Sequence, residues 1–195
     1  MIGLAEQGVG FKPFELGQLD AAITHGHHNA QLASGTLAAL IAALMRGASL
    51  DQAIQDAIAD LARAQNHAEV KDALHTAVAL AKSGQPPQAC ITKLGSGYIA
   101  EEALAIGLFC AIRAESFADG LLLSIAHVGE RRATGAITGA ILGARMGMGA
   151  IPGQWLAYLE LRPLIADLAR DLFCHFGQFF GSHYVTSDWE RYPGW

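Results

Sequence analysis

The chain of 195 residues is long enough for a single domain with a sizeable core. Its apolar content of 52%, rich in alanine and leucine, argues against a disordered chain and favours a helix-rich soluble protein. A formal net charge of −5, with no Lys/Arg tract, argues against a nucleic-acid partner.

The cysteines and the N-terminal residues indicate the cellular compartment of the protein. Cys90, Cys110 and Cys174 are odd in number and lie in unrelated apolar segments, which favours a reduced cytoplasmic compartment over a disulfide scaffold. The N-terminus becomes acidic too early for a signal peptide. Residues 20–46 form a long stretch without an internal formal charge. Histidines and amides interrupt this stretch and would be costly in lipid, so no membrane span is predicted.

Apolar periodicity and capping residues predict helices through the first half of the chain. A first helix is expected from Phe14 to Ile23, followed by the polar turn Thr24-His25-Gly26-His27-His28-Asn29. The central helix, Gln31 to Arg46, is apolar on nearly all sides, and Gly47 is a natural C-terminal stop. The capping box Ser49-Leu50-Asp51-Gln52 predicts the start of a third helix, whose apolar face is formed by Ile54, Ile58 and Leu61. A fourth helix is predicted from the spacing of Val70, Leu74, Val78 and Ala81, and it ends at Gly84 and Pro86-Pro87.

The second half is predicted to be helical as well. After the loop Leu94-Gly95-Ser96-Gly97-Tyr98, a helix runs to about Arg113, and a short helix begins at Ser116 and ends before Gly129. Pro152 and Pro163 fit the first turns of two late helices, the second with an inner stripe of Leu164, Leu168, Leu172 and Phe176. The sequence therefore predicts one all-α domain over residues 1–181, followed by an irregular tail over residues 182–195.

The segment Gly129-Glu130-Arg131-Arg132-Ala133-Thr134 is the strongest candidate for a ligand site. It begins a helix that has a stripe of glycines, Gly135, Gly139 and Gly143, on one face. Small residues allow another segment to approach closely, so this glycine stripe is interpreted as a site of tight packing. Free N–H groups and the macrodipole at a helix N-terminus favour anions. The segment presents one carboxylate and two guanidinium groups at that position.

Three other places have a functional and a structural interpretation. His25, His27 and His28 either contact a metal, phosphate or sugar, or form a structural turn, and their spacing is not that of a zinc site. The loop at Gly95-Ser96-Gly97-Tyr98 either approaches a ligand, with Tyr98 stacking on a base, or merely connects helices. Glu101 and Glu102 either act as acid and base, or form a solvated first turn. The second is favoured because adjacent residues on a helix point apart.

The combination of these segments resembles the ADP-ribosylglycohydrolase family. The matching segments, over residues 2–173, are Thr24-His25-Gly26-His27 before the central helix, Leu94-Gly95-Ser96-Gly97-Tyr98-Ile99-Ala100-Glu101-Glu102-Ala103-Leu104, Gly129 with Thr134-Gly135-Ala136-Ile137-Thr138-Gly139, and Ile151-Pro152, Trp155-Leu156 and Leu159-Glu160-Leu161-Arg162. The resemblance implies an all-helical domain that hydrolyses the glycosidic bond between ADP-ribose and a protein side chain, using two Mg²⁺ or Mn²⁺ ions. ADP-ribose or an ADP-ribosylated protein is the implied partner, contacted by His25, Gly97 and Tyr98.

The chain departs from the family pattern at the metal ligands. The Thr-Asp-Asp and Gly-Asp-Ala-Leu-Gly segments of the family do not occur, so the domain is expected to be incomplete at its N-terminus. The Asp-x-Asp-x-Thr motif becomes Glu130, Arg132 and Thr134, which leaves Glu130 and Thr134 as the implied metal contributors. Arg132 brings a cation without a lone pair, so this chain alone is not expected to bind both metals. Arg131 or Arg132 is instead expected to pair with a phosphate of the ligand.

Three functional hypotheses follow from these observations. The first is a hydrolase that is active when another chain supplies a complementing N-terminal half. The second is an inactive relative, a pseudoenzyme that binds ADP-ribose or a related nucleotide, or a regulatory module. The third is a truncated remnant or interaction protein that covers its exposed core by self-association.

Overall fold

A computed structural model describes residues 12–173 of the protein. Within this part the chain forms α-helices and one short 3-10 turn, Met148–Ala150, and no strand, which confirms the predicted all-α class. The predicted tail and Phe176 lie outside the described residues. The helices are α1 (Pro13–Ala22), α2 (His28–Met45), α3 (Leu50–Leu61), α4 (Ala68–Lys82), α5 (Pro87–Leu94), α6 (Ala100–Arg113), α7 (Phe117–Ser124), α8 (Arg131–Met146), α9 (Gly153–Ala157) and α10 (Arg162–Phe173).

Helix α6 lies at the centre of the core. Every residue from Ala103 to Ala111 is buried, which is the pattern of a helix surrounded by other helices. Leu104 and Leu108 join the apolar cluster formed with α2, α3 and α8. Ile106 and Phe109 belong to a second cluster formed with α4 and α5. Helix α6 therefore connects the two parts of the core and fixes the position of the loop that precedes it.

The N-cap predicted at Ser49 is confirmed, and the short helix predicted to begin at Ser116 has that serine as its N-cap. Ser49 Oγ accepts a hydrogen bond from the Gln52 amide at 3.2 Å, and Ser116 Oγ accepts one from the Asp119 amide at 3.1 Å. Helix α2 begins earlier than the predicted Gln31. The reason is that His27 acts as its N-cap, with Nδ1 accepting from the Asn29 amide at 3.2 Å.

The sequence does not predict helix α5, because the pair Pro86-Pro87 indicates only the end of the preceding helix. Pro87 instead stands at the first position of α5. A proline is well tolerated there, since the amide that it lacks would have no partner within the helix. The helix delivers the chain to Gly95, where the loop before α6 begins.

The glycine stripe of α8 is tightly packed at one end only. A Cβ atom at Gly135 would lie 3.0 Å from Ile125 Cγ2, whereas Gly143 faces open space. The predicted inner stripe of α10 is wrong for two of its residues, because Leu164 is 54% exposed and Leu168 is 37% exposed. Periodicity identifies the apolar face of a helix but does not identify what covers it. Among residues 12–173, no helix is both long enough and apolar enough to cross a membrane.

Candidate functional site

The N-termini of α2, α6 and α8 lie at the same end of the helical bundle. The Asn29 side chain in the first turn of α2 donates to Glu101 in the first turn of α6. The amide of Glu130, the N-cap of α8, donates to the Ser96 carbonyl just before α6 at 2.8 Å. Three helix N-termini therefore converge, and the dipoles of their helices favour negative charge at this end of the bundle.

Glu102 shapes the loop before α6. Its Oε2 accepts hydrogen bonds from the amides of Ser96 and Gly97 at 2.9 and 3.0 Å, and from the Ser96 hydroxyl at 3.2 Å. Gly95 and Gly97 both have positive φ angles, which other residues rarely adopt. The prediction of a solvated first turn is therefore wrong for Glu102, because its carboxylate organises the backbone of the glycine loop.

The glycine loop and the segment before α8 are in direct contact. A Cβ atom at Gly129 would overlap the Ser96 carbonyl oxygen, so only glycine fits at this crossing. On the other side of the loop, a Cβ atom at Gly97 would lie 3.0 Å from the Thr134 methyl group. The structure thus brings together Gly97, Tyr98, Glu130 and Thr134, which the sequence placed on separate segments.

Glu130 and Arg132 form a paired unit at the start of α8. Arg132 Nε donates to Glu130 Oε1 at 2.9 Å and Nη2 donates to Oε2 at 3.0 Å, so both carboxylate oxygens are used. Glu130 also accepts from the Arg132 amide and thereby caps the helix. Hydrogen bonding to Arg132 lowers the pKa of Glu130 from 4.5 to about 2. The same pairing, with a smaller electrostatic contribution from Tyr98, raises the pKa of Arg132.

The Thr134 hydroxyl points into the protein. It is buried and donates to the Ser124 carbonyl at 2.7 Å. His127 lies beside it: Nδ1 of His127 accepts from the Gly129 amide at 3.0 Å, which leaves Nε2 to donate to Thr134 Oγ1 at 3.1 Å. Sequence reasoning missed His127, whose only signal is its position two residues before Gly129 in the ligand segment.

Arg131, Arg132 and Tyr98 present side chains to solvent beside this junction. The Arg132 side chain is 92% exposed although its guanidinium is paired, and Tyr98 is 71% exposed. Arg131 is also exposed, at the first position of α8. A ligand at this end of the bundle would therefore meet two cationic groups and one uncovered aromatic ring.

The histidine turn divides into structural and exposed residues. His27 caps α2, and its ring stacks on the ring of His28 with the centroids 4.6 Å apart. His25 is exposed, and its Nδ1 lies 2.8 Å from the Thr24 hydroxyl oxygen. Gln31 Nε2 donates to the His25 carbonyl at 3.0 Å and thus fixes the backbone there. His27 therefore has the structural role, while the side chain of His25 faces solvent.

The half-buried Glu101 is not simply solvated either. Its Oε1 accepts from Asn29 Nδ2 at 2.9 Å. Asn29 is itself buried, so this hydrogen bond attaches the turn that carries His25 to the start of α6, next to the glycine loop. The structure therefore places the turn and the loop at the same end of the bundle.

The residues at 130–134 do not fit the two divalent ions that the family resemblance implies. Both oxygens of Glu130 are engaged by Arg132, and the proton of the Thr134 hydroxyl is directed to a backbone carbonyl. A guanidinium ~4 Å from a divalent ion would add several kcal/mol of repulsion at an effective dielectric of ~20. Among residues 12–173, no three His, Cys, Asp or Glu side chains are arranged to bind a metal ion.

The comparisons with known proteins identify the family. Searches of the curated proteins and of the solved structures give no match. The family model described as ADP-ribosylglycohydrolase matches residues 3–178, which is most of the chain and includes the converging helix N-termini. This family is generally metal-dependent and acts on ADP-ribosylated substrates. The chain therefore belongs to the ADP-ribosylglycohydrolase family.

Proposed function

We propose that this chain binds the ADP-ribosyl group of ADP-ribose, or of an ADP-ribosylated protein, without a divalent ion at residues 130–134. We propose further that it does not by itself perform the hydrolysis of its family. The observation that carries the proposal is the pairing of Arg132 with both carboxylate oxygens of Glu130. The Arg132 guanidinium thus binds the carboxylate that would otherwise be free to contribute to a metal site.

The chemistry of Arg132 suits a diphosphate. A guanidinium has five N–H donors, of which two bind Glu130, so three remain for phosphate oxygens. Glu130 caps α8, and an incoming phosphate would therefore meet the guanidinium groups of Arg131 and Arg132 rather than the helix amides. The exposed ring of Tyr98 offers a stacking surface for the base, and His25 supplies a polar group for the sugar.

Calorimetric titration of ADP-ribose into the full chain tests this proposal. We expect the same affinity in EDTA and in Mn²⁺, and a loss of about 10- to 100-fold in Arg132→Ala, since hydrogen bonds to charged groups are among the stronger ones. Arg170→Ala is the matched control, because Arg170 also forms an exposed ion pair, with Asp167, but on α10. Binding that requires Mn²⁺, or equal losses in both variants, would refute the proposal.

The second candidate is the hydrolase function, favoured by Glu130 and Thr134, which the family resemblance implies as metal contributors. Arg132→Asp separates the two candidates, since it restores a second carboxylate and frees Glu130. The assay is release of ADP-ribose from an ADP-ribosylated protein in Mn²⁺, with circular dichroism to verify folding. If the chain is a metal-free binding protein, the wild type should release no ADP-ribose and the variant should no longer bind it. Release by the wild-type chain alone would establish the hydrolase instead.

A further inference from the structure

A half-buried histidine bridges the turn between α7 and α8. His127 Nδ1 lies 3.0 Å from the Gly129 amide nitrogen, and its Nε2 lies 3.1 Å from the Thr134 hydroxyl oxygen. Gly129 is the residue that crosses the glycine loop, and Thr134 is buried in the first turns of α8. The imidazole ring therefore joins the loop crossing to the helix that carries Arg132.

The hydrogen bonds of His127 have one consistent direction. A backbone amide can only donate, so Nδ1 must carry a lone pair and the ring proton must be on Nε2. That proton is donated to Thr134 Oγ1, whose own proton goes to the Ser124 carbonyl at 2.7 Å. A proton on Nδ1 would instead face the N–H of Gly129. The surroundings thus select the tautomer that is protonated on Nε2.

Two consecutive amides set the path of the chain into α8. The Gly129 amide donates to His127, and the next amide, that of Glu130, donates to the Ser96 carbonyl of the glycine loop at 2.8 Å. Each hydrogen bond orients one of the two planar peptide groups that flank Gly129, whereas glycine itself restricts its backbone angles very little. The direction in which Glu130 leaves the crossing therefore depends on both acceptors, the Ser96 carbonyl and the His127 ring.

The pair that a ligand would meet is attached directly to this segment. Glu130 is the N-cap of α8, and its two carboxylate oxygens hold the Arg132 guanidinium. We propose that His127, with its proton on Nε2, is a positioning residue of the ADP-ribosyl site. Its Nδ1 orients Gly129 and thereby places the Glu130–Arg132 pair. This inference rests on the proposed function, which supplies the ligand, and it requires no contact between His127 and that ligand.

Two substitutions each retain one of the two hydrogen bonds. In His127→Asn, Oδ1 takes about the position of Nδ1 and can accept from the Gly129 amide, but no atom reaches Thr134. In His127→Gln, the longer side chain can donate to Thr134 Oγ1 from about the position of Nε2, but it leaves the Gly129 amide without an acceptor. Both variants lose the ring, so the difference between them shows which hydrogen bond the ligand site needs.

Calorimetric titration of ADP-ribose in EDTA compares the two variants with the wild type. We expect His127→Asn to keep the affinity within about 3-fold and His127→Gln to lose about 10-fold, which is the size of one hydrogen bond. His75 is exposed in the middle of α4, so His75→Asn and His75→Gln are the matched controls and should bind like the wild type. Circular dichroism verifies folding. Equal affinities of the two His127 variants would overturn the proposal.

A measurement without ligand separates this inference from the proposed function. Nitrogen-15 NMR of the free chain, in alkaline buffer where histidine is neutral, distinguishes protonated from unprotonated ring nitrogens. We expect the His127 proton on Nε2, and slower exchange of the Gly129 amide in the wild type and His127→Asn than in His127→Gln. A proton on Nδ1, or equal exchange in all three proteins, would overturn the inference even if ADP-ribose binds. The expected NMR result without binding by the wild type would refute the proposed function and reduce His127 to a structural residue of the turn.

Discussion

Arg132 pairs with Glu130, two residues earlier on the chain, through Nε–Oε1 and Nη2–Oε2 hydrogen bonds of 2.9 and 3.0 Å. This bidentate geometry is the one in which a guanidinium binds a carboxylate most specifically. It joins a cation and an anion at the N-terminus of α8. The charges of this pair are thus satisfied within the chain, and their interaction can be measured through Glu130.

The first prediction concerns the titration of Glu130. Its pKa should be about 2 in the wild type, and should return towards 4.5 in Arg132→Gln, because hydrogen bonding to Arg132 is the largest cause of the shift. The folded pKa lies below the unfolded one, so the stabilisation is complete above about pH 4.5 and is lost as the pH falls towards 2. Carboxyl carbon shifts in an NMR titration give both values.

Salt provides the internal control for this titration. The pair is exposed, so added salt should weaken the interaction and raise the pKa of Glu130 in the wild type. It should have little effect in Arg132→Gln. A Glu130 that titrates near 4.5 in both proteins would show that the pair does not form in solution.

The second prediction concerns the crossing of the two loops. Gly129→Ala should destabilise the protein by about 1–3 kcal/mol, because its Cβ atom would overlap the Ser96 carbonyl oxygen. Gly143→Ala is the matched control in α8, where nothing beyond the local backbone of the helix lies within 4 Å of the added Cβ. Alanine should stabilise that helix by about 0.5–1 kcal/mol. Urea denaturation measures both changes in the free energy of unfolding. Equal effects of the two substitutions would contradict the close contact of Gly129 with the Ser96 carbonyl.

How far the sequence predicts this fold depends on the range of the interactions. Ser49 and Ser116 act on amides three residues away, so their capping roles follow from local spacing. The bond from Asn29 to Glu101 spans 72 positions, and no local pattern reports it. The stripe on α10 marks an amphipathic helix correctly, yet Leu164 faces solvent, because periodicity does not specify a packing partner.

The same distinction applies to the candidate site. The motifs identified the segments of His25, Tyr98 and Glu130, and the fold brings these segments to one end of the bundle. The sequence did not reveal that Glu102 organises the glycine loop, since that depends on which way each of two adjacent glutamates points. The contact of His127 with the Thr134 hydroxyl was also hidden, because it requires the turn between α7 and α8.

The third prediction concerns the reactivity of Cys110. Burial in the core, with a smaller contribution from the charge of Asp119, raises the pKa of this thiol to about 12. The thiolate is the reactive form, so Cys110 should resist iodoacetamide at pH 8.5 in the folded protein and react in urea. Peptide mass spectrometry identifies the modified residue. Equal labelling with and without urea would show that this part of α6 is accessible.

The fourth prediction concerns Glu102, whose single oxygen holds the glycine loop. Glu102→Ala would leave the amides of Ser96 and Gly97 without their acceptor, at an expected cost of about 1–3 kcal/mol in urea denaturation. The loop would also lose its fixed shape, so ADP-ribose binding should weaken because Tyr98 is no longer positioned. Glu115→Ala, an exposed glutamate beyond the end of the same helix, should change neither quantity. Glu102→Gln retains one acceptor oxygen and should fall between the two. If Glu102→Ala bound ADP-ribose like the wild type while showing the stability loss, the glycine loop would be a connection between helices and not part of the ligand site.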